Sequence, residues 1–460
     1  MKRIGPYLVL LLLLSCNPPG ESQNENLAPV TAFTNVNVIP MDENHVLENQ
    51  TVLISEGKIT AIGDATSIKV PEQATMIDGT GKFLIPGLAE MHAHIPGTNA
   101  SPEYLENTLF LYLSNGVTTI RGMLGQPSHL ELREKAANNE ILSPRIFTSG
   151  PSLNGNTVKT PEDAQKMVTE QKEAGYDFLK LHPGIQLEVF NELVASANEV
   201  GIPFSGHVSV HVGIRKAIEA QYGSVDHLDG YLEGLVPESA NVDPTQNGFF
   251  GFNFVKYADL SLLDDLSVST AAKNVWVVPT HALMKRWAGS LSPDEIGAEP
   301  EMKYMPRQTL EAWINNVKQF QSNAAYTVEN AIAFIELRDK ILKSLYNAGV
   351  GMLLGSDAPQ IFNVPGFSIQ HELKAMVDAG ISNYDALKSG TLNPAIFFGK
   401  ENEFGMVKAG HSADLILLNA NPLDDISAIS SRSGVMVRGR WMPESEIQQR
   451  LAEIAAQNGY

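Results

Sequence analysis

The sequence contains a single cysteine, Cys16, in 460 residues, so no disulfide can form within the chain. It also lacks a long hydrophobic run. The apolar stretch from Tyr7 to Leu14 is shorter than the roughly 20 residues that a membrane-spanning helix needs, and no other long apolar segment follows. Basic residues are outnumbered, and the formal net charge of −19 argues against nucleic acid as a partner. The length suits a large barrel with an accessory domain.

The N-terminus has the parts of an export signal. Lys2 and Arg3 precede the apolar run, and the small residue Ser15 precedes Cys16. The sequence of residues 13–16, Leu-Leu-Ser-Cys, resembles a bacterial lipobox, in which the cysteine is lipidated and becomes the first residue of the mature protein. We therefore predict a signal peptide over residues 1–15, lipidation at Cys16 and a polar tether over residues 16–29. These features predict an exported bacterial lipoprotein, periplasmic or outer-membrane associated and held to the membrane by its lipid. The alternative is an ordinary cleaved signal with an incidental cysteine.

Short alternating segments at both ends of the chain predict a small β-domain. Residues 30–84 contain several such strands separated by turns, and residues 403–445 contain strands of similar composition. We predict a β-sandwich domain built from both ends of the chain, followed by a C-terminal helix over residues 446–460.

Between these ends, over residues 85–402, strand-like and helix-like segments alternate, which predicts an α/β fold with a parallel sheet. Residues 160–174 and 187–200 have helical patterns, and the first has a capping sequence. Eight βα units indicate a (β/α)8 TIM-type barrel, whose chemistry lies at the C-terminal ends of the strands. Two long connections, residues 231–273 and 282–341, predict a lid or pocket wall. The predicted strand segments are 85–94, 117–121, 145–149, 178–182, 203–207, 224–228, 275–280 and 351–357.

His92 and His94 end the first of these strands. Side chains at i and i+2 on a strand share a face, so both imidazoles would project together. Two imidazoles on one rigid strand supply half of a site for zinc or a similar divalent ion. Such a pair also occurs on exposed strands without metal.

Four more residues with metal-binding or acid–base side chains lie at predicted strand ends. Each has an alternative interpretation as a structural histidine, a solvent-reaching lysine or a helix-capping aspartate. All of them, however, would converge with His92 and His94 on one face of the barrel. They are Lys180, His207, His227 and Asp357.

Nearly the whole exported chain resembles the metal-dependent amidohydrolase superfamily, in the branch of imidazolonepropionase-like and prolidase-type dipeptidase enzymes. The matching stretches are Ile85-Pro86-Gly87-Leu88 before His92-Ala93-His94, Asn115-Gly116-Val117-Thr118-Thr119-Ile120-Arg121, Phe178-Leu179-Lys180-Leu181, Gly206-His207, Val225-Asp226-His227, Leu353-Leu354-Gly355-Ser356-Asp357-Ala358, Thr391-Leu392-Asn393-Pro394-Ala395 and Gly410-His411-Ser412-Ala413-Asp414-Leu415.

The resemblance implies a centre of two divalent metal ions, with zinc expected. His92, His94 and Asp357 would hold the more buried ion, and His207 and His227 the other. Lys180 would bridge the two as a carbamate, because an ammonium beside two dications would be repelled. In the competing mononuclear pattern, which lacks such a lysine, His227 would act on the substrate instead.

The resemblance also implies a mechanism, in which a hydroxide bridging the metals attacks the scissile carbonyl and Asp357 transfers the proton to the leaving nitrogen. Tyr231 could hydrogen-bond the developing oxyanion, or it could simply pack in the lid. His211 and His281 are candidate substrate contacts. Lys285 and Arg286 could bind a substrate carboxylate, with solvent exposure as the alternative.

The predicted function is hydrolysis of a carbon–nitrogen bond in a small molecule such as a dipeptide, an N-acyl amino acid or a cyclic amide. The alternatives are an esterase or lactonase on the same centre and a catalytically dead surface binding lipoprotein. The sequence departs from the family around the substrate, because Arg121 is followed by Gly122 rather than Asp and no histidine follows the third strand. The oligomeric state is left open, and a homo-oligomer is one of the alternatives.

Overall fold

A computed structural model describes residues 29–460 and shows an α/β protein. The predicted signal peptide, Cys16 and all but the last residue of the predicted tether lie outside the described residues. The strands are β1 (Val30–Val38), β2 (Leu47–Ser55), β3 (Lys58–Asp64), β4 (Thr75–Asp78), β5 (Phe83–Pro86), β6 (Leu88–Ala93), β7 (Val117–Gly122), β8 (Arg145–Thr148), β9 (Leu179–Leu181), β10 (Phe204–Gly206), β11 (Ser224–Asp226), β12 (Trp276–Val278), β13 (Leu415–Leu418), β14 (Arg432–Val437) and β15 (Arg440–Pro443).

The α-helices carry most of the remaining regular structure. They are α1 (Pro102–Ser114), α2 (Pro127–Ala137), α3 (Pro161–Glu173), α4 (Leu187–Val200), α5 (Ile214–Glu219), α6 (Leu263–Ala272), α7 (His281–Trp287), α8 (Pro293–Ile296), α9 (Arg307–Gln321), α10 (Val328–Asn347), α11 (Phe367–Asp378), α12 (Asn383–Ser389), α13 (Leu392–Phe397) and α14 (Glu444–Gln457). No helix in this part of the chain combines the length and the hydrophobicity that crossing a membrane requires.

Both ends of the chain contribute to one mixed sheet of eight strands, in the order β15-β14-β13-β5-β1-β2-β3 with β4 beside β1. The structure therefore has one continuous sheet where a sandwich of two is expected. The reason lies in β1, which pairs in parallel with β4 along its first half and with β5 at its end. Its register shifts after Phe33, where Asn35 adopts a φ of 54°, and such bulges bend a strand.

The predicted first barrel strand is split in two. Residues 83–86 form β5, which pairs with β13 in the terminal sheet, and β6 begins at Leu88. Gly87 separates them. Its N–H donates to the carbonyl of Asp414, and a Cβ at this position would come within 2.2 Å of the Thr118 hydroxyl oxygen. The chain can change sheets here because glycine allows this close approach.

The remaining parallel strands form two sheets, ordered β6-β7-β8 and β9-β10-β11-β12. Isolated parallel bridges connect Ser149 with Phe178 and Val277 with Met352. The segment 351–357, predicted as a strand, forms no regular ladder. It follows β6 by single backbone hydrogen bonds, including one of 2.7 Å from Met91 to Leu354, and ends at Asp357 with a φ of 67°.

The crossover helices agree with the sequence patterns. Helix α4 has the predicted bounds and ends at Gly201, whose left-handed backbone suits a glycine. Helix α3 begins after Thr160, and Thr160 and Asp163 form the reciprocal hydrogen bonds of a capping box. The long connection after β11 contains short 3-10 turns, among them Phe249–Tyr257, and lies over the C-terminal strand ends.

Candidate metal centre and active-site pocket

The end of β6 carries His92 and His94, and Asp357 lies opposite them. The Asp357 carboxylate is 2.6 Å from His94 Nε2 and 3.4 Å from His92 Nε2. One ligand atom from each of the three residues lies within 4.8 Å of the other two. Two imidazoles and a carboxylate at this spacing form three parts of a tetrahedral zinc site, and these three residues could hold one divalent ion.

His207 and His227 lie beside this group. The His227 ring is 4.4 Å from the His92 ring and 4.6 Å from the His207 ring, measured between centroids. His207 Nδ1 is 3.0 Å from Asp229, and His227 Nδ1 is 2.7 Å from the Thr280 hydroxyl. Each of these histidines therefore has Nε2 left for a ligand, the arrangement in which an outer partner orients a metal-binding imidazole. Burial lowers the pKa of His227 well below its usual value, so its ring is neutral.

Lys180 projects from β9 into the same region and is fully buried. Its Nζ donates to Asp226 at 3.0 Å. Burial lowers the pKa of the Lys180 ammonium, while the Asp226 carboxylate opposes that shift. Burial and then the nearby Lys180 charge lower the pKa of His92 to about 4. The structure thus brings Lys180 next to the histidines, where its neutral amine is favoured by burial.

Asp226, which the sequence reasoning did not treat as a site residue, connects this group. It accepts hydrogen bonds from Lys180, from Arg121 at 3.2 Å and from Ser224 at 2.9 Å, and it lies 3.1 Å from His92 Nδ1. Burial alone would raise the pKa of Asp226, but the charges of Lys180 and Arg121 hold it well below the usual range. Strand alternation would place Asp226 and His227 on opposite faces, but β11 ends at Asp226 and His227 has a φ of 63°, so the sequence pattern did not indicate that both face the site.

His182 also faces the site and was missed. Its Nδ1 is 2.8 Å from the Ser152 hydroxyl oxygen, which Asn154 also contacts at 2.8 Å. Its ring stacks on that of His207 with centroids 5.2 Å apart. The alternation that singles out His92 and His94 also places Lys180 and His182 on one face, so the sequence contained the information needed to find it.

The site opens into a cavity of about 580 Å3, a size that suits a small molecule. His92, His94, His207 and Asp357 line it, and aromatic side chains form much of its wall. A cavity of about 630 Å3 between α6 and α10 is larger, but none of the candidate ligands lines it.

Five predicted substrate or oxyanion contacts do not line the cavity. Tyr231 is completely buried and its hydroxyl shares a hydrogen bond of 3.1 Å with Thr270, so an oxyanion role has no support in the structure. His211 is exposed and does not line the cavity. Neither side chain lines the cavity, because Tyr231 packs inside the connection after β11 and His211 lies in the exposed segment between β10 and α5.

His281 and Arg286 are engaged within the protein. His281 Nε2 is 2.6 Å from Asp339, and an Arg286 guanidinium nitrogen is 2.6 Å from Glu299. Neither lines the cavity, and Lys285 lies 3.9 Å from Asp339 rather than in the pocket. Each basic side chain has an acidic partner on a neighbouring element, so none reaches a substrate.

The comparisons with known proteins match this arrangement. A family model described as "Amidohydrolase family" matches residues 83–442. The imidazolonepropionase of Geobacillus sp. (strain WCH70) is 22% identical over 407 residues, covering 82% of this chain and 86% of that protein.

Two solved structures share the fold. A bottromycin amidohydrolase superposes with a TM-score of 0.72 at 20% identity, covering 94% of this chain and 91% of the other. A Xaa-Pro dipeptidase with bound methionine in the active site superposes with a TM-score of 0.64 at 18% identity, covering 90% and 100%. The family model spans most of the chain, and the paired histidines, the lysine and the aspartate gather at one set of strand ends. This protein therefore belongs to the amidohydrolase family and is a hydrolase of carbon–nitrogen bonds.

Proposed function

We propose that the protein hydrolyses an amide bond of a small molecule at a centre of two divalent metal ions, with zinc as the expected metal. His92, His94, Lys180, His207, His227 and Asp357 would hold the ions. The observation that carries the proposal is the convergence of Asp357 and the buried, neutral His92, which line the cavity, with His227, whose buried, neutral ring lies against that of His92. Neutral imidazoles and a carboxylate are donors that zinc prefers, so these residues fit the metal.

Lys180 would contribute as a carbamate. Its neutral amine forms a bond to the carbon of carbon dioxide and releases one proton, which leaves an anionic carbamate in place of the ammonium. Complete burial favours the neutral amine that this reaction needs. Asp226 offers the alternative partner, an ion pair with the ammonium, and that arrangement corresponds to a single-metal site.

Bound metal would supply an activated water as nucleophile and would polarise the substrate carbonyl. The Asp357 carboxylate takes up the proton of the attacking water and returns it to the leaving nitrogen. Asp226 keeps His92 oriented through Nδ1, and Asp229 does the same for His207. His182 has Nδ1 engaged by Ser152, which leaves Nε2 for a substrate polar group.

Metal analysis and turnover of three purified proteins test this function. We expect about two metal ions per chain in the wild type and at most one in Lys180→Ala. The Asp357→Asn variant should keep at least half of its metal but lose turnover by a factor of about 10² to 10⁴, the usual contribution of general acid–base catalysis. Turnover is measured on dipeptides, N-acyl amino acids and cyclic amides.

The exposed Lys216→Ala variant is the matched control and should behave as wild type. A wild-type protein that binds no metal after repletion and cleaves no amide would contradict the proposal. One metal in both the wild type and Lys180→Ala would favour the single-metal site.

We also propose a closed eight-stranded barrel and anchoring at the membrane. The parallel bridge between Ala93 and Ala358, together with the two bridges described above, supports closure. The composition of residues 1–16 supports export and lipidation at Cys16. Mass spectrometry of the mature N-terminus tests the anchor, and an unmodified Cys16 in protein recovered from the soluble fraction would contradict it.

A further inference from the structure

The wall of the cavity above the candidate ligands is aromatic and aliphatic. Phe249 lies 4.7 Å from Phe250 and 4.7 Å from Trp287, measured between ring centroids, and all three line the cavity. Leu124 and Leu283 extend this surface. A flat apolar group packed against these side chains would bury its own apolar surface and part of theirs, which favours binding.

The aromatic residues reach the candidate ligands. The Phe250 ring is 5.9 Å from the His207 ring and 5.5 Å from the His227 ring. Phe250 has a φ of 48°, which is rare for a bulky residue and is held here by the surrounding packing. A substrate group resting on Phe250 would therefore be directly next to the bond that is cleaved.

No lysine or arginine is among the described residues that line this cavity, and its charged side chains are the carboxylates Asp229 and Asp357. Arg286, the cation that the sequence suggested for a substrate carboxylate, is buried with its guanidinium on Glu299 and on the carbonyl of Phe362. A carboxylate on the non-reacting part of a substrate would thus be desolvated without a cationic partner, which is costly.

We propose that the pocket selects neutral amides that carry an aromatic group and lack a free carboxylate. The inference rests on the proposed function, and it narrows the predicted substrates by removing free dipeptides and N-acyl amino acids. A carboxylate bound directly at the metal ions would occupy the position that the scissile carbonyl needs, so it would inhibit hydrolysis.

Three matched ligands test the inference on the metal-loaded protein: N-acetylphenylalanine methylamide, the same compound as the free acid, and N-acetylalanine methylamide. We expect the neutral aromatic amide to bind about tenfold tighter than either of the others, by isothermal titration calorimetry. The titration is repeated on chelator-treated protein. The order of the three affinities should be the same there, because the cavity wall and not the metal determines which ligand binds more tightly. Equal or tighter binding of the free acid to the chelator-treated protein would overturn the inference.

A charge placed in the wall provides the second test. Leu124 is 40% exposed at the edge of the cavity, and Leu124→Lys should shift the binding ratio about tenfold toward the free acid. Leu260→Lys changes another leucine, 47% exposed and outside the cavity, and should leave the ratio unchanged. An unchanged ratio in Leu124→Lys would show that this wall does not contact the ligand and would contradict the inference.

Turnover separates this inference from the proposed function. If the binding order is as expected and no amide is cleaved, the pocket assignment stands and the proposed hydrolysis fails. If free dipeptides are cleaved faster than their neutral counterparts, the hydrolysis stands and the pocket assignment fails.

Discussion

At the scale of single residues, the site contains buried basic and acidic side chains whose charges must compensate one another. Lys180 and Arg121 are both completely buried basic residues, and among the described residues Asp226 is the carboxylate that contacts both of them. Asp226 also lies 3.1 Å from Nδ1 of His92. The orientation of a candidate metal ligand therefore depends on a residue that would not touch the metal.

We expect Asp226→Asn to destabilise the metal-free protein by about 3 to 5 kcal/mol, because removing one partner of a buried ion pair leaves the other charge uncompensated. Urea unfolding followed by tryptophan fluorescence measures the change. Ser224→Ala removes a hydroxyl that accepts from Arg121 and donates to the same carboxylate, but it keeps both charge pairs, so it should cost less, about 2 kcal/mol. Equal effects of the two substitutions would show that Asp226 does not balance these charges.

At the scale of elements, short parallel strands place the ligands in fixed register. Lys180 in β9 is paired with Ser205 in β10, and His207 directly follows β10. Gly206 has a φ of 131°, and a Cβ there would come within 2.3 Å of the Leu181 carbonyl oxygen and 2.8 Å of Lys180 Cδ. Strand spacing at the site thus depends on glycine at this position.

Gly206→Ala should reduce kcat/KM at least about tenfold, because the added methyl group pushes β9 and Lys180 away from their partners, and small misplacements of catalytic groups have large costs. Gly201→Ala is the matched control. Gly201 has a φ of 67°, and nothing lies within 4 Å of an added Cβ. The Gly201→Ala variant should therefore lose about 1 to 2 kcal/mol of stability and keep its activity. Wild-type activity in Gly206→Ala would contradict the close approach.

On the scale of the whole molecule, buried carboxyl groups tie distant elements together. Glu372 in α11 accepts hydrogen bonds from the backbone N–H groups of His281 and Ala282, at 2.9 and 2.6 Å, at the start of α7. Burial raises the pKa of Glu372 from 4.5 to about 7. Between these two values the folded protein holds a proton that the unfolded chain has released, so this group favours folding less as the pH rises.

We therefore expect the wild type to lose about 3 kcal/mol of stability relative to Glu372→Gln between pH 4.5 and pH 7. The comparison isolates Glu372, because the depressed pKa values of buried histidines such as His92 act in the opposite direction in both proteins. Urea unfolding at several pH values measures the difference. A difference that is constant with pH would contradict the raised pKa of Glu372.

The fold followed from local patterns to a large extent. Helix α4 and the capping box of α3 are determined by a few consecutive residues, so the sequence alone predicts them. The separation of β5 from β6 at Gly87 and the irregular backbone of segment 351–357 could not be predicted from the sequence. Both depend on contacts with distant residues, the carbonyl of Asp414 in one case and the backbone of β6 in the other.

The candidate site residues likewise divide into those that local sequence patterns predict and those whose position depends on distant contacts. His92 and His94 follow from strand alternation, and the order of Lys180, His207, His227 and Asp357 follows from strand ends that share one edge. Tyr231, predicted as an oxyanion contact, and Arg286, predicted as a substrate contact, do not line the cavity. Residues in long connections take their direction from packing, and here Thr270 and Glu299 are their partners.

The sequence by itself determined the family, the α/β alternation and the set of side chains that could hold metal, because these are encoded in short-range spacing and composition. Only the tertiary structure decided that Asp226 joins Lys180 to His92, that His182 faces the cavity and that the basic residues after β12 face away from it. Those outcomes depend on which side chains meet across the fold. Burial makes an unpaired charge costly, and basic side chains such as Arg121 and Arg286 pair with carboxylates that the chain order does not reveal.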